Sequence, residues 1–214
     1  AQDFNSLTEM LMALDAGKID RMELEQPVAE YLLRLKGNDE KYIPYLITKG
    51  VTYSLSMGFK ENNKWFEPFN ETIKAMAEDD TLLFLRAKYI TASDENIKTV
   101  KFEKFPDAET VKIAVTGDQP PIDYIAEDET PAGFNTAMLA EIARRLKINV
   151  ELVNINAGAR AAALASGRAD GVFWFWHENT TSAQGYDTPA GVVLTEPYYG
   201  TDTLITIGKK LHNK

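Results

Sequence analysis

Residues 159–177 read ARAAALASGRADGVFWFWH, and the parsing of this stretch decides the fold. It opens as a run of small helix formers and stops at Gly167. After Asp170 come Gly171, Val172, Phe173, Trp174, Phe175 and Trp176, an unbroken apolar and aromatic run that suits a buried strand better than a solvated helix. Helix, glycine stop and strand make half of a βαβ unit. The same grammar occurs near the N-terminus, where ALDAGKID (13–20) echoes ALASGRAD (163–170). Two copies of A-L-x-x-G-x-x-D predict two related α/β halves.

Working outward, Ser6 is placed to cap a helix from Leu7 to about Ala16, with Glu9 completing a capping box and Gly17 ending it. Asp20 to Leu24 reads as a short strand, and Pro27 as the first residue of a helix closed by Gly37. Asn38 to Lys41 reads as a polar loop. Ile43 to Ile47 then gives a weak strand, and VTYSLSMGF (51–59) a strong one. Trp65, Phe66, Phe69, Ile73 and Met76 recur at helical spacing, and Asp79-Asp80 caps a further helix from Thr81. Thr91 to Thr110 is polar and reads as a connector. A new unit starts with VKIAVTG (111–117), a strand. It is followed by a loop with three prolines (118–133), a helix over 134–146, a strand over 150–155 and a helix over 160–166. The strand of the opening stretch comes next. A polar excursion over 177–191 and a closing strand over 203–207 complete the chain. Alternating strands and helices predict an α/β fold with a mostly parallel sheet flanked by helices.

The 214 residues suffice for one large or two small domains, and 44% hydrophobic with 26% charged residues is ordinary globular composition. A net charge of -9 and a pI near 4.8 provide no basic field for phosphates or an anionic membrane, so nucleic acid is not expected as a partner. With no cysteine, disulfides, thiolate catalysis and thiolate metal sites are excluded. No run of apolar residues is long enough to span a bilayer, so direct membrane insertion is not expected. No leader pattern stands ahead of Ala1; if exported, the sequence is expected to be a mature form or a cut piece.

In an open parallel sheet, ligands sit beyond the carboxyl ends of the strands, where strand order reverses. That rule points to the loop after 111–117, which offers Asp118, Gln119 and Tyr124, and to the end of the strand finishing in Trp176. The second place offers Trp174, Trp176 and His177, with Thr180 and Thr181 just beyond. An aromatic wall with a few polar groups suits a small-molecule pocket. Each feature has a plainer reading. The tryptophans can fill space under a neighbouring lobe, Asp118 and Asp123 can cap a loop or face water, and Arg160 can make a surface salt bridge. His177 has only His212 as a fellow histidine, which makes a metal or acid–base role a poor fit. Phosphate loops, zinc spacings and Ser-His-Asp arrangements are absent as sequence patterns, and neither metal nor cofactor is expected.

The order VKIAVTGDQPPIDY, PAGFNTAMLAEIARRL, ALASGRAD and TEPYY over residues 111–208 resembles the first lobe of the extracellular solute-binding proteins of family 3. The resemblance implies a type II periplasmic-binding-protein fold that serves polar amino acid ABC transporters. ALDAGKID, PVAEYLL, YSLSMGFK and FNETIKAMAEDDTL resemble the end of the second lobe and the return into the first. The segments stand in rotated order, and the opening of a usual second lobe is missing. The chain is therefore read as a permuted, shortened relative or as a piece of a tandem protein. Its expected division is a second-lobe-like segment (1–50), a return strand and helices (51–90), a connector (91–110) and a main first-lobe-like domain (111–208).

The resemblance implies a non-enzymatic domain that captures a small polar or aromatic molecule, with the membrane subunits of an ABC transporter as partner. It also implies an extracellular or periplasmic location, soluble or anchored through a removed or missing N-terminal segment. Family members that bind α-amino acids carry a Thr and then an Arg after the third strand, where the guanidinium grips the ligand carboxylate. Here that region reads HENTTSAQGYD (177–187) and holds no Arg. Three rivals remain on the same resemblance: a sensing module of a membrane signalling protein, a dehydratase-like enzyme, and a degenerate module that binds nothing and only supports assembly.

Overall fold

The computed structural model describes residues 4, 6–91, 100–126, 128–178 and 188–210, apart from the side chain of Phe175. Thr180, Thr181 and His212 lie outside the described residues.

The chain begins with α1 (Leu7–Asp15), and the Ser6 hydroxyl accepts from the Glu9 N–H at 3.1 Å, satisfying one of the donors a helix start leaves open. Gly17 and Gly167 end their helices with φ of +70° and +72°. Each N–H reaches back three residues, to the carbonyls of Leu14 and Leu164. The two A-L-x-x-G-x-x-D copies thus make the same turn, one leading into β1 (Arg21–Glu25) and the other into β8 (Gly171–Glu178). Between them come α2 (Gln26–Arg34), a single helical turn α3 (Asn38–Lys41) and β2 (Tyr42–Lys60). Next are α4 (Phe66–Glu78), α5 (Thr81–Arg86) with a wide turn to Thr91, and β3 (Thr110–Val115). Three short strands, β4 (Asp118–Gln119), β5 (Asp123–Ile125) and β6 (Pro131–Ala132), form a small separate sheet inside the proline-rich loop. The rest is α6 (Phe134–Leu146), β7 (Asn149–Asn154), α7 (Arg160–Ala165), then β8, β9 (Val192–Leu194) and β10 (Tyr199–Lys209).

The main sheet runs β1-β10-β2-β8-β3-β7, with β9 attached to β2. The parallel character expected from alternating elements belongs to one part of it: β3 lies parallel to β7 and to β8. The other pairings, β1 with β10, β10 with β2, and β2 with β8 and β9, are antiparallel. β2 and β10 are long strands of 19 and 11 residues, and β2 pairs antiparallel with β10 along one part of its length and with β8 along another. The polar loop expected at Asn38–Lys41 is the turn α3. The break expected between a weak and a strong strand near Lys49 is instead a bulge inside one strand: pairing skips from Tyr53↔Thr201 to Lys49↔Thr203.

One large core joins α1, α2, α4 and α6 to the sheet through side chains such as Leu14, Val28, Phe69, Met76, Met138 and Ile142. A smaller core, with Ala163 and Leu164 of α7 against Val172, Trp174 and Val192, lies apart from it. α6 fits the helical pattern closely. Its apolar stripe is buried, and Arg144 and Arg145 stand in its last turn, where positive charge favours the helix dipole.

Candidate functional site

β3 ends at Val115, and the chain then turns through Thr116 and Gly117 into β4. This turn is built around Asp123. Its carboxylate is buried to 2% exposure and accepts the N–H groups of Thr116 at 3.1 Å and Gly117 at 3.3 Å. The neighbouring Asp118 is half-buried and reaches across to the first turn of α1, accepting the Leu7 N–H at 3.0 Å. Of the two readings given to these aspartates, loop capping describes Asp123. Asp118 caps a helix far away in sequence rather than facing open water.

Beyond these strand ends lies a cavity of about 510 Å³. One wall comes from the N-terminal segment: Ser6, then Leu7 and Met10 of α1, with Glu23 and Glu25 of β1. The facing wall is Thr116, Asp118 and Gln119, with Arg160 at the start of α7 and Trp176 on β8. An adjoining hollow of about 550 Å³ shares Ser6, Thr116, Asp118 and Ala157, and opens towards Asn154, Asn156 and Arg168.

Trp176 reaches this cavity through a bulge. Pairing of β8 with β2 steps from His177↔Ser54 to Trp174↔Ser56, so two residues of β8 oppose Leu55 alone. Trp176 has φ of +45°, a left-handed conformation that is rare for a bulky residue and marks a locally strained backbone. Its ring packs edge-on to Tyr199 with centroids 5.8 Å apart. Its Nε1 is shielded from solvent with no acceptor among the described residues, and Gln119 Oε1 on the same cavity is shielded with no donor.

The cavity thus gathers Asp118, Gln119, Arg160 and Trp176 from the sequence expectation. Tyr124 stands apart, its ring tilted against Tyr31 at 6.2 Å. The expectation that both tryptophans form one aromatic wall is corrected. Trp174 is 6% exposed and packs in the smaller core with Val172 and Ala114, because the bulge reverses the in–out alternation between it and Trp176. His177 is also corrected. It is buried at 5% exposure, and its Nε2 shares a 3.0 Å hydrogen bond with the Ser56 hydroxyl inside the sheet, away from the cavity. Thr180 and Thr181 fall outside the described residues. Sequence reasoning missed Glu23 and Glu25. The signal was the alternation R-M-E-L-E, with Met22 and Leu24 buried and the charged residues on the other side. Among the described residues, no group of three or more acidic or histidine side chains is arranged to hold a metal.

Burial raises the Asp123 carboxyl to about 6, against the pull of the two N–H groups, and raises Glu25 to about 7, with Glu23 adding to the effect. Asp118 is raised by burial too, opposed by the Leu7 N–H and the field of Arg160. The folded protein therefore holds protons on Asp123 and Glu25 that the unfolded chain has already released. That stability is present at low pH and is lost as pH rises through the folded values. Stability is expected to fall from about pH 4 to about pH 7, with Asp123 alone contributing about 3 kcal/mol of the change. Asp79 and Glu141, both held near 2 by hydrogen bonds, from Thr81 and Arg145 and from Arg144 and Arg145 respectively, act in the opposite direction only at lower pH. Urea titrations at pH 4.5 and 7.5 check this. Asp123→Asn should flatten the difference, and an unchanged slope in that variant would remove Asp123 as its source.

Residues 111–210, just under half of the chain, match the family model of the bacterial extracellular solute-binding proteins, family 3. The resemblance read from the sequence over residues 111–208 falls within this match. No curated protein sequence matches the chain. Among solved structures, it is similar to the PBP AgaA from A. tumefaciens R10 in complex with agropinic acid, at 13% identity and a TM-score of 0.44, covering 80% of this chain and 37% of that one. It is also similar to a putative L-cystine ABC transporter protein from Listeria monocytogenes, at 12% identity and a TM-score of 0.44, covering 97% and 64%. A phosphate-binding protein from Streptococcus pneumoniae TIGR4 aligns at 9% identity and a TM-score of 0.41, covering 98% and 74%. The chain thus spans little more than a third of the length of AgaA. No described helix is long and apolar enough to cross a membrane.

Proposed function

We propose that the chain is a non-enzymatic solute-binding module that captures a small molecule in the cavity between its N-terminal segment and the strand ends of its family 3 half. The observation that carries this reading is the position of the cavity. It lies beyond the carboxyl end of β3 and beside the bulged end of β8, closed on its far side by α1 and β1. Residues 1–50 act as a reduced second lobe and 111–208 as the main one, with 51–90 as the return segment and 91–110 as the connector. β2 and β10 pass between the lobes, and closing about them traps the solute. The product of capture is a closed form presented to the membrane subunits of an ABC transporter, outside the cytoplasmic membrane. Without an Arg in 177–187 to grip an α-carboxylate, recognition falls to the side chains on the cavity wall.

A thermal-shift screen with amino acids, short peptides, amines, sugars and aromatic acids tests the reading. A solute at a hundred times its Kd stabilises the folded state by about 2.7 kcal/mol, so a true ligand moves the midpoint by several degrees. The shift should vanish in Trp176→Ala and persist in the surface variant Glu151→Gln. If every class leaves the midpoint unmoved, the solute-binding reading fails.

A further inference from the structure

We infer that the cavity selects small organic cations, amines or guanidinium compounds, over acids and neutral sugars. The inference rests on the solute-binding reading above and names the chemistry of the same site.

The wall carries three carboxylates, Glu23, Glu25 and Asp118, and one cation, Arg160. Arg160 is already balanced on its own side of the cavity, where its field acts on Asp118 and on buried Asp123. Glu23 and Glu25, two residues apart on β1, have no ion-pair partner among the described residues. Tyr53 of β2 stands in the field of Glu23, Glu25 and Glu178 of β8, and the nearest cation along β1, Arg21, is stacked 4.3 Å over the Tyr45 ring. An incoming anion would meet this field unfavourably, whereas an ammonium or guanidinium group would find its counter-ions in place.

A second observation points to an occupant independently of the carboxylates. Two polar atoms on the same wall are shielded from water and unsatisfied among the described residues: the acceptor Gln119 Oε1 and the donor Trp176 Nε1. Such atoms are costly unless something completes them. An ammonium or guanidinium N–H completes Gln119 Oε1, and a hydroxyl or carbonyl oxygen on the ligand completes the indole N–H. The indole ring adds a face to which a cation is attracted.

The test is calorimetric titration and thermal shift of the full chain at pH 8 and low salt, with agmatine, putrescine and ethanolamine set against glutamate and glucose. At least one of the three amines should bind, and glutamate and glucose should not. Glu23→Gln with Glu25→Gln should weaken amine binding by at least about tenfold. Glu23→Gln alone, at an exposed position, should weaken it less, with its own midpoint verifying that the variant is folded. If glucose or glutamate gives the larger shift and loses it in Trp176→Ala, the cation preference is overturned while solute capture stands. If no solute of any class binds, the preference and the solute-binding reading fall together.

Discussion

Gly133→Ala is expected to destabilise the protein by about 4 kcal/mol, through a backbone clash and left-handed strain acting at one position. Gly133 has φ of +99°, and a Cβ placed there would stand 2.5 Å from the Ile122 carbonyl oxygen and 2.9 Å from that of Pro121. Those two carbonyls accept the Phe134 N–H at 3.1 Å and the Asn135 N–H at 2.8 Å, so they cap α6 in place of a side chain. Any shift that relieves the clash pulls these bonds apart and moves the turn that carries Asp118, Gln119 and Asp123. Urea denaturation followed by circular dichroism gives the stability difference. A loss below about 1 kcal/mol would mean that the α6 entry is far more pliable than this packing implies.

Phe59→Ala should cost a similar amount, about 3 to 5 kcal/mol, and lower the melting midpoint by roughly 10 °C. Phe59 is fully buried on β2 and sits edge-on to Phe66 at 6.1 Å and to Phe69 at 5.3 Å. Opposite it on β8 is Gly171, where a Cβ would come within 2.7 Å of the Phe59 ring. The strand pair is thus shaped as one large ring against an empty position, and truncating the ring leaves a cavity that no neighbour can fill. The double variant Phe59→Ala with Gly171→Ala should recover part of the loss, and additive effects would deny that the two positions share one space.

Elements governed by local chemistry were legible in the sequence. The span of α6 is the predicted one, the Ser6 cap makes its bond to Glu9, and the paired A-L-x-x-G-x-x-D turns repeat each other in geometry. Illegible features were those set by partners distant in sequence. Lys49 and Gly50 look like a loop until β10 pairs along both sides of them and turns the break into a bulge. Trp174 and Trp176 share a face under strict alternation, and no local residue signals that pairing with Leu55 will send one into the smaller core and the other to the cavity. The strand-end rule pointed to Asp118, Gln119 and Trp176, which line the candidate cavity. The glutamates were missed because β1 becomes a cavity wall only once α1 and β10 place it there.

β2 carries three irregularities, two facing β10, around Tyr45 and around Gly50, and one facing β8 at Leu55. A continuous ribbon loses bending stiffness where its ladder bonds are interrupted, so compliance gathers at these points along β2. The pairing with β10 on one side and with β8 on the other is therefore joined through a leaf spring whose soft point lies beside Trp176. If the proposed capture takes place in the hollow, flexure at this point would move its two walls with no bonded contact having to break.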